Sequence, residues 1–406
     1  MRTHKLGTEV IYLFKAAGMV EIHGVIQELL QAKGVLPPPL SQPLIFIKPN
    51  LNNDLLALTG NSTDLRLLAA LLEVLQARGH TNLVIGDGPN IGTCRKGIDV
   101  FKRLGVAALA KHYGVRLINL NNEPAATIEL ATGSVRVAKV CLEADFFINL
   151  PKLKTHAEAG MSLAVKNLMG CVVGTDKRKM HANLAANLVR LNELIKPDLH
   201  IADALIAMEG NGPGDGWPRR TDTLIASTDA FCLDVLAARL FGLDRGRISY
   251  LTIAFERGHL TSEALAIADA LQPIIALEPA PPRGLLARTL DQPILNRLKD
   301  LTRPIHGQEW ARRLLYRMGI MQDVYQSAEA HIEALRLDRE RCDLCGRCLD
   351  YCPMALPITG LDFDDSRCLY CLYCVCVCPQ KAITIEGDLG YLRRHLDKYG
   401  HAMRRL

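Results

Sequence analysis

Eight cysteines near the end of the 406-residue chain form two copies of one spacing. The first copy is Cys342-x2-Cys345-x2-Cys348-x3-Cys352-Pro353, and the second is Cys368-x2-Cys371-x2-Cys374-x3-Cys378-Pro379. Three cysteines this close together lie on one tight loop and can bind three corners of a [4Fe–4S] cube, while the fourth points towards a neighbouring cube. The spacing therefore predicts two [4Fe–4S] clusters and a protein that transfers single electrons.

Two other uses of clustered cysteines fit this spacing less well. A zinc site takes four ligands in paired CxxC units and needs neither a third cysteine nor a Cys-Pro ending. Disulfides require an oxidising compartment, and the sequence shows no secretory signal. A ninth cysteine of this segment, Cys376, lies between two predicted ligands. It is predicted to be a small buried apolar residue, and the alternative is that it replaces a ligand in a damaged cluster.

The two cysteine runs resemble those of bacterial two-cluster ferredoxins. This resemblance implies that the fourth cysteine of each run binds the cluster held by the other run. One cluster is then assigned to Cys342, Cys345, Cys348 and Cys378. The other cluster is assigned to Cys368, Cys371, Cys374 and Cys352.

A second group of chemically capable residues is a set of lysines in loops that follow apolar runs. The set consists of Lys48, Lys152, Lys154, Lys166 and Lys177. Clustered lysines with few acids nearby form a positive pocket that suits a carboxylate or a phosphate. Crowding also lowers the pKa of individual lysines, which allows one of them to act as a general acid or as a Schiff-base nucleophile. The alternative for Lys177 is an ordinary solvated position on the surface.

Histidines, acids and amides accompany these lysines. His156 and His181 can transfer protons near neutral pH, and Asp87 and Glu209 can orient such groups or bind a divalent metal. The alternative for His181 is a hydrogen-bonded position at a helix start. The predicted catalytic residues are Lys154, His156, Lys166 and His181. The predicted substrate-binding residues are Lys48, Asn50, Asp87, Lys152, Asn167 and Asn211.

Short apolar runs that alternate with helical patterns are expected to position these residues. Strands are predicted at residues 43–48, 82–86, 115–119, 144–150, 198–204 and 223–227, and helices at residues 64–79, 106–113 and 230–241. Such alternation predicts an α/β domain with a mostly parallel sheet and helices on both faces. Ligands bind beyond the carboxyl ends of the strands in such sheets, and the lysine loops fall at those ends. Residues 1–34 are predicted to form an amphipathic helix.

Composition shifts divide the chain into four predicted parts. Residues 1–278 form the α/β domain, residues 279–336 a basic helical connector that opens on Pro279, residues 337–390 a small α+β ferredoxin-like domain, and residues 391–406 a basic tail. The Arg-rich pattern at 310–318 predicts a helix. The connector and the tail are interpreted as a solvated helical layer, and the alternative is a docking surface for an acidic redox partner.

Composition also excludes some classes of function. No apolar stretch is long enough and free enough of charge to span a membrane. The net charge of +5 is small for this length and does not favour nucleic-acid binding. Oxygen-sensitive clusters and further free cysteines favour a cytoplasmic location.

Residues 1–260 resemble the family called domain of unknown function 362. The resemblance rests on Ile47-Lys48-Pro49-Asn50-Leu51, on Val84-Ile85-Gly86-Asp87-Gly88-Pro89, on residues 149–181 and on Met208-Glu209-Gly210-Asn211-Gly212-Pro213. Members of this family are often fused to a ferredoxin module, so the resemblance covers nearly the whole chain. It implies a family and leaves the reaction undefined.

Residues 144–181 are also similar to the core of nickel-pincer lactate racemases. The shared order is Ala144-Asp145, His156, Ala159-Gly160-Met161-Ser162, Lys166 and His181. The similarity implies a covalent pincer cofactor on Lys166, a nickel ligand at His181 and a proton-transferring base at His156. The sequence departs from that family at Gly86-Asp87-Gly88, where the second histidine is missing, and at Lys48-Pro49-Asn50.

Three functions follow from these patterns. The favoured one is an iron–sulfur oxidoreductase, in which an external redox protein exchanges electrons with the clusters and a small anionic substrate is reduced in the lysine/histidine pocket. The second is a non-catalytic electron-transfer or assembly subunit. The third is a metal-dependent or pincer-cofactor enzyme that uses Lys166 and His181, with an additional metal in the α/β domain.

Overall fold

The computed structural model describes residues 2–31, 36–39, 42–281, 326–357 and 366–406. The strands, in chain order, are β1 (Arg2–Leu6), β2 (Glu9–Lys15), β3 (Ile45–Pro49), β4 (Leu83–Asp87), β5 (Arg116–Asn119), β6 (Ala125–Leu130), β7 (Gly133–Ala138), β8 (Phe146–Leu150), β9 (Lys152–His156), β10 (Gly160–Ser162), β11 (Leu199–Glu209), β12 (Trp217–Ser227), β13 (His331–Leu337) and β14 (Ile383–Asp388).

Helices connect most of these strands. They are α1 (Met19–Gln31), α2 (Leu65–Ala77), α3 (Ile91–Arg95), α4 (Val100–Arg103), α5 (Val106–His112), α6 (Val140–Glu143), α7 (Ala164–Asn167), α8 (Leu184–Leu194), α9 (Ala230–Leu240), α10 (Ser249–Glu256), α11 (Ser262–Ala270), α12 (Arg347–Asp350), α13 (Tyr373–Val377) and α14 (Leu392–Met403). Short 3₁₀ helices add Ala57–Thr59, Leu120–Asn122, Leu168–Cys171, Gly174–Asn183 and Arg245–Arg247. Asp64 begins α2 as predicted, because its side chain accepts a hydrogen bond from the backbone N–H of Arg66.

One ten-stranded mixed sheet organises the large domain. Its order is β1-β2-β12-β11-β8-β3-β4-β5, with β9 beside β11 and β10 beside β9. β11, β8, β3, β4 and β5 run parallel, and β12, β2 and β1 run antiparallel at one edge. Helical crossovers between successive strands force the parallel arrangement. The predicted α/β class with a mostly parallel sheet is confirmed.

Helices cover both faces of this sheet, as predicted. On one face, α1, α2 and α5 pack in a single hydrophobic core with the cysteine-rich module. On the other face, α7, α8, α9, α10 and α11 form a second core. The shared first core means that the cysteine-rich module is packed against the large domain.

The prediction of one helix over residues 1–34 is wrong. Residues 2–15 form the β1–β2 hairpin, and α1 begins only at Met19. Gly7 adopts a φ of +63° at the turn, a conformation that glycine tolerates best. The Val-Ile-Tyr-Leu-Phe run of β2 is rich in β-branched and aromatic residues, and Leu13 lies opposite Ile225 of β12 in the sheet.

The cysteine-rich module is built on the antiparallel pair β13 and β14, which carries α12 and α13 between its strands. β13 starts at His331, within the segment predicted as the connector. Most of that connector, including its predicted Arg-rich helix, lies outside the described residues. The predicted tail contains α14, whose Tyr399 is buried against the module and the large domain. Within the described ranges, no helix is long and apolar enough to cross a membrane.

Candidate functional site

A cavity of about 490 Å³ lies at the carboxyl ends of β3, β4 and β9. This is the edge of the sheet where the sequence predicted a pocket. Most of the predicted residues line it: Lys48, Asn50, Asp87, Lys154, His156, Lys166, Asn167, Lys177 and His181. Sequence reasoning missed several lining residues, namely Asn52, Asn90, Arg95, Glu158, Ser162 and Arg178. The cations among them give the cavity a positively charged lining, a chemistry that suits anions.

Lys152, Glu209 and Asn211 do not line this cavity. Lys152 is fully buried, and its ammonium donates to Asp203 at 2.9 Å. Asn211 is exposed on the loop after β11, and the Glu209 carboxylate accepts from the backbone N–H of Glu278. Two residues that were predicted to bind substrate are therefore outside the cavity wall. Lys152 is held by Asp203 of β11, and Asn211 lies on the exposed loop that follows β11.

Replacing Asp203 with asparagine is expected to destabilise the protein by roughly 3–5 kcal/mol, because the buried Lys152 charge loses its partner. The partly exposed pair of Asp215 and Lys398, whose charged atoms lie 2.9 Å apart, provides the control. Asp215→Asn is expected to cost at most about 1 kcal/mol. Urea unfolding under anaerobic conditions measures both values. Equal losses in the two variants would contradict a buried ion pair at Lys152.

Lys48 and Asp87 form a second buried ion pair, and this one lies in the cavity wall. Their charged atoms are 2.7 Å apart. The Asp87 carboxylate also accepts from the backbone N–H groups of Leu51 and Gly88. A Cβ atom on Gly170 would overlap both members of the pair. Asp87 is therefore held in the wall, where Lys48 is its direct ion-pair partner and its charge also favours the protonated forms of Lys154 and Lys177.

Lys154 is held differently, by an amide. Its ammonium is buried and donates to Asn50 Oδ1 at 2.8 Å. Asn50 Nδ2 donates to Asn167 Oδ1 at 2.9 Å, and Asn167 Nδ2 donates to Asn149 Oδ1 at 2.7 Å. Asn149 Nδ2 lies 3.0 Å from His200 Nδ1, and burial lowers the pKa of His200 to about 3. The neutral His200 accepts at Nδ1, so the chain of amides fixes the carbonyl of Asn50 towards Lys154.

Two cavity lysines have lowered pKa values. The pKa of Lys154 is lowered to about 7, chiefly by burial and also by the positive charges of Lys152, Lys166 and Lys48, against the opposing effect of Asp87. Burial likewise lowers the pKa of Lys177 to about 8. Both residues therefore have amines that lose their protons near physiological pH.

The two histidines differ in tautomer and exposure. His156 is buried, and its Nδ1 accepts from the backbone N–H groups of Glu158 and Ala159, each at 3.1 Å. This arrangement places the proton of the neutral ring on Nε2. His181 is exposed, and its Nδ1 lies 3.0 Å from the Glu158 carboxylate, to which it donates. Glu158 thus connects the two predicted histidines.

The short helix α7, which carries Lys166 and Asn167, is anchored by a buried acid that sequence reasoning missed. The Asp234 carboxylate accepts from the backbone N–H groups of Ala164 and Val165 and from the hydroxyl of Tyr250. Burial raises the pKa of Asp234 to about 7. The missed signal was Asp234 itself, a lone acid in the apolar helix α9.

In the cysteine-rich module, one predicted ligand set comes together. Cys352, Cys368, Cys371 and Cys374 surround an enclosed gap of about 30 Å³. Leu344, Tyr370 and Leu372, which lie beside the ligands, have positive φ values of 57°, 50° and 64°. Such left-handed positions bend the chain tightly around a cluster. Cys352 and Cys378 each accept a backbone N–H hydrogen bond at sulfur. These residues fit a [4Fe–4S] cluster.

No three histidine, cysteine or acidic side chains within the described ranges are grouped to hold a single metal ion. The described residues of the α/β domain therefore provide no ligand group for the additional metal that was predicted there.

The fold and the two sites define an α/β protein that has a basic cavity and is joined to an iron–sulfur module. Residues 45–239 match the family described as Domain of unknown function (DUF362), and residues 361–384 match the 4Fe-4S binding domain. These matches support a DUF362 domain at residues 45–239 and a C-terminal 4Fe–4S domain suited to at least one iron–sulfur cluster and to electron transfer. The predicted resemblance to the DUF362 family is confirmed over residues 45–239, and the predicted 4Fe–4S domain is confirmed over residues 361–384, which contain the second cysteine run.

Among curated proteins, the chain is 34% identical over 217 residues to a thylakoid-associated protein of Synechocystis sp.. That match covers 50% of this chain and 64% of the relative. Among solved structures, a protein from Thermotoga maritima is 14% identical, with 60% of each chain covered and a TM-score of 0.33. The lactate racemase apoprotein of Thermoanaerobacterium thermosaccharolyticum is 12% identical, with 48% of this chain and 50% of that chain covered and a TM-score of 0.33.

Proposed function

We propose that this protein is an iron–sulfur oxidoreductase that passes single electrons through two [4Fe–4S] clusters to a small anionic substrate in the basic cavity. The observation that carries the proposal is one loop, residues 50–65, that contacts both sites. At its start, Asn50 lines the cavity and accepts the hydrogen bond of Lys154. At its end, the backbone N–H of Leu65 donates to the hydroxyl of Tyr373 at 3.3 Å. Tyr373 lies between the ligands Cys371 and Cys374.

Hydrogen bonds make this loop a compact connection. The backbone N–H of Thr63 donates to the carbonyl of Asn50 at 2.9 Å, which brings the two ends of the loop together. In its middle, the backbone N–H of Leu56 donates to the hydroxyl of Tyr399 on α14. The loop also carries Asp54, which pairs with Arg103 at 2.7 Å. A short bonded route thus links the module to the cavity.

The ligand set Cys352, Cys368, Cys371 and Cys374 contacts the large domain through Cys371. A Cβ atom on Gly105, at the start of α5, would lie 3.4 Å from the Cβ atom of Cys371. The two residues are thus within van der Waals reach, and the φ of +77° at Gly105 is a conformation that glycine adopts best. We assign the cluster of this set the delivery of electrons to the cavity, and the cluster of Cys342, Cys345, Cys348 and Cys378 their exchange with an external partner.

A cleft beside Cys378 suits that external partner. Its volume is about 840 Å³, and apolar residues of α14 and β14 form part of its wall. The cations that line it are Arg220, Arg341, Arg347, Lys381 and Arg404, against the acid Asp350. A cationic rim favours an acidic redox protein, whose association it would accelerate. We also propose a cytoplasmic location, because iron–sulfur clusters and free thiols persist in a reducing compartment.

The proposed activity predicts that a cavity cation is needed for reoxidation of the clusters. Protein reduced anaerobically is mixed with small 2-oxo acids and phosphorylated carbonyl compounds, and the return of cluster absorbance is followed. Lys166→Met is expected to slow the reoxidation caused by an active compound on the order of 10²-fold, the size of one lost electrostatic contact to developing charge. Lys179→Met, at an exposed residue outside the cavity, serves as the control. Equal rates in both variants would favour a carrier or assembly subunit over an enzyme.

A further inference from the structure

Lys154 differs from the other two fully buried lysines at this sheet edge. Lys48 pairs with Asp87 at 2.7 Å, and Lys152 pairs with Asp203 at 2.9 Å. Lys154, whose residue is 1% exposed, has the amide oxygen of Asn50 as its hydrogen-bond partner within the described ranges, and no carboxylate there forms an ion pair with it. The fold therefore neutralises two of three buried lysines with acids and leaves the third facing the cavity on a neutral acceptor.

The surroundings of Lys154 favour its uncharged amine. The charged groups that face it are Lys152 on its own strand, Lys48 on β3, Asp87 on β4 and Lys166 on α7, so cations outnumber acids. Burial adds to this effect, and the pKa of Lys154 is lowered to about 7. A desolvated lysine beside other cations is the arrangement in which a lysine becomes a nucleophile.

The amide chain holds that amine in place. The Asn50–Asn167–Asn149–His200 chain fixes the Asn50 carbonyl as an acceptor, so one N–H of Lys154 is occupied and its nitrogen is oriented. Lys166 and His156 line the same cavity. They add a positive charge for an anionic group and a neutral ring whose proton lies on Nε2.

We infer that Lys154 forms a Schiff base with the carbonyl carbon of a small substrate that also carries a carboxylate or a phosphate. The Lys154 nitrogen adds to the carbonyl carbon, and the carbonyl oxygen takes up a proton to give a carbinolamine. The carbinolamine loses its oxygen as water, so that one amine and one carbonyl give one imine and one water. Once protonated, the imine is a better electron acceptor than the original carbonyl. The substrate class rests on the proposed function, whereas formation of the imine needs no electrons.

The experiment traps the imine by reduction. Anaerobically purified full-length protein with oxidised clusters is incubated with pyruvate, glyoxylate or pyridoxal 5′-phosphate and sodium cyanoborohydride. Intact mass and peptide mapping then locate the adduct. One adduct per chain on the peptide that contains Lys154 is expected with at least one of these probes, and an excess of inorganic phosphate should suppress it. The yield should rise from pH 6 to pH 8, as the Lys154 amine loses its proton.

Lys154→Met should abolish the adduct, while Lys179→Met, outside the cavity, should leave it unchanged. Labelling confined to Lys166, Lys177 or surface lysines would overturn the inference, and so would the absence of any adduct. Peptide mapping of the wild-type chain gives this answer independently of the variants. Because trapping uses no cluster electrons, an adduct without substrate-driven reoxidation would refute the oxidoreductase and leave the Schiff base standing. Substrate-driven reoxidation without an adduct would refute the Schiff base and leave the oxidoreductase standing.

Discussion

Replacing Lys154 with methionine is expected to stabilise the protein below pH 7 by up to roughly 5 kcal/mol, less about 1–3 kcal/mol for the buried Asn50 oxygen that loses its donor. Methionine has a similar length and no charge to desolvate. The pKa of Lys154 falls from 10.5 in the unfolded chain to about 7 in the folded protein. Each pKa unit of difference corresponds to about 1.4 kcal/mol between the protonation states. The shift from 10.5 to about 7 therefore means that the protonated lysine opposes folding by roughly 5 kcal/mol.

The pH dependence gives the prediction its sign. Between about pH 7 and pH 10.5 the unfolded chain binds a proton at Lys154 that the folded protein does not bind. The contribution of this site therefore raises the free energy of unfolding of the wild-type protein as the pH rises across that window. The stability of Lys154→Met relative to the wild type is greatest below pH 7 and falls by about 1.4 kcal/mol per pH unit from there to about pH 10.5.

Lys48→Met is the matched control, because Lys48 is equally buried but has an acid partner. Its removal leaves Asp87 without a countercharge, and a loss of roughly 3–5 kcal/mol is expected. Urea unfolding at pH 6, pH 8 and pH 10 measures both variants. If Lys154→Met were destabilising at every pH by as much as Lys48→Met, Lys154 would be part of an ion pair and its amine would not be neutral near pH 7.

Much of the cavity could be predicted from the sequence because it depends on local order. Lys48, Asp87 and Lys154 each lie at or just beyond the end of an apolar run. Parallel strands bring such ends to one edge of the sheet, whatever the details of packing. The ligand spacing of the cysteines is similarly local. These features required only that the strands be recognised.

The electrostatic roles of the lysines could not be predicted, because they depend on partners distant in sequence. Lys152 meets Asp203 from β11, whereas Lys154, two residues later, meets the amide of Asn50. No spacing rule distinguishes these two residues. The N-terminal hairpin was missed for a related reason, since β2 is stabilised by pairing with β12, more than two hundred residues away. The anchor at Asp234 acts across the same kind of distance.

Replacing Cys352 with alanine is expected to remove one whole cluster, and this result also tests the crossed ligand assignment. The structure places Cys352 around one gap with Cys368, Cys371 and Cys374, although the first run of cysteines contains it. If each fourth cysteine serves the other run, the variant loses the cluster of the second run and retains that of the first. Iron should fall from about eight to about four atoms per chain.

Cys376→Ala provides the control, because Cys376 lies among the ligands and is outside the gap they surround. It should keep the full iron content, measured together with acid-labile sulfide on protein purified without oxygen. Cys368→Ala should reproduce the spectrum of Cys352→Ala. Cys345→Ala should instead remove the cluster of the first run and retain the cluster of the second run. A wild-type content of about four iron atoms would limit the chain to one cluster. A single cluster would then relay electrons between the partner cleft and the cavity, and we would assign it to the gap lined by Cys371 beside Gly105.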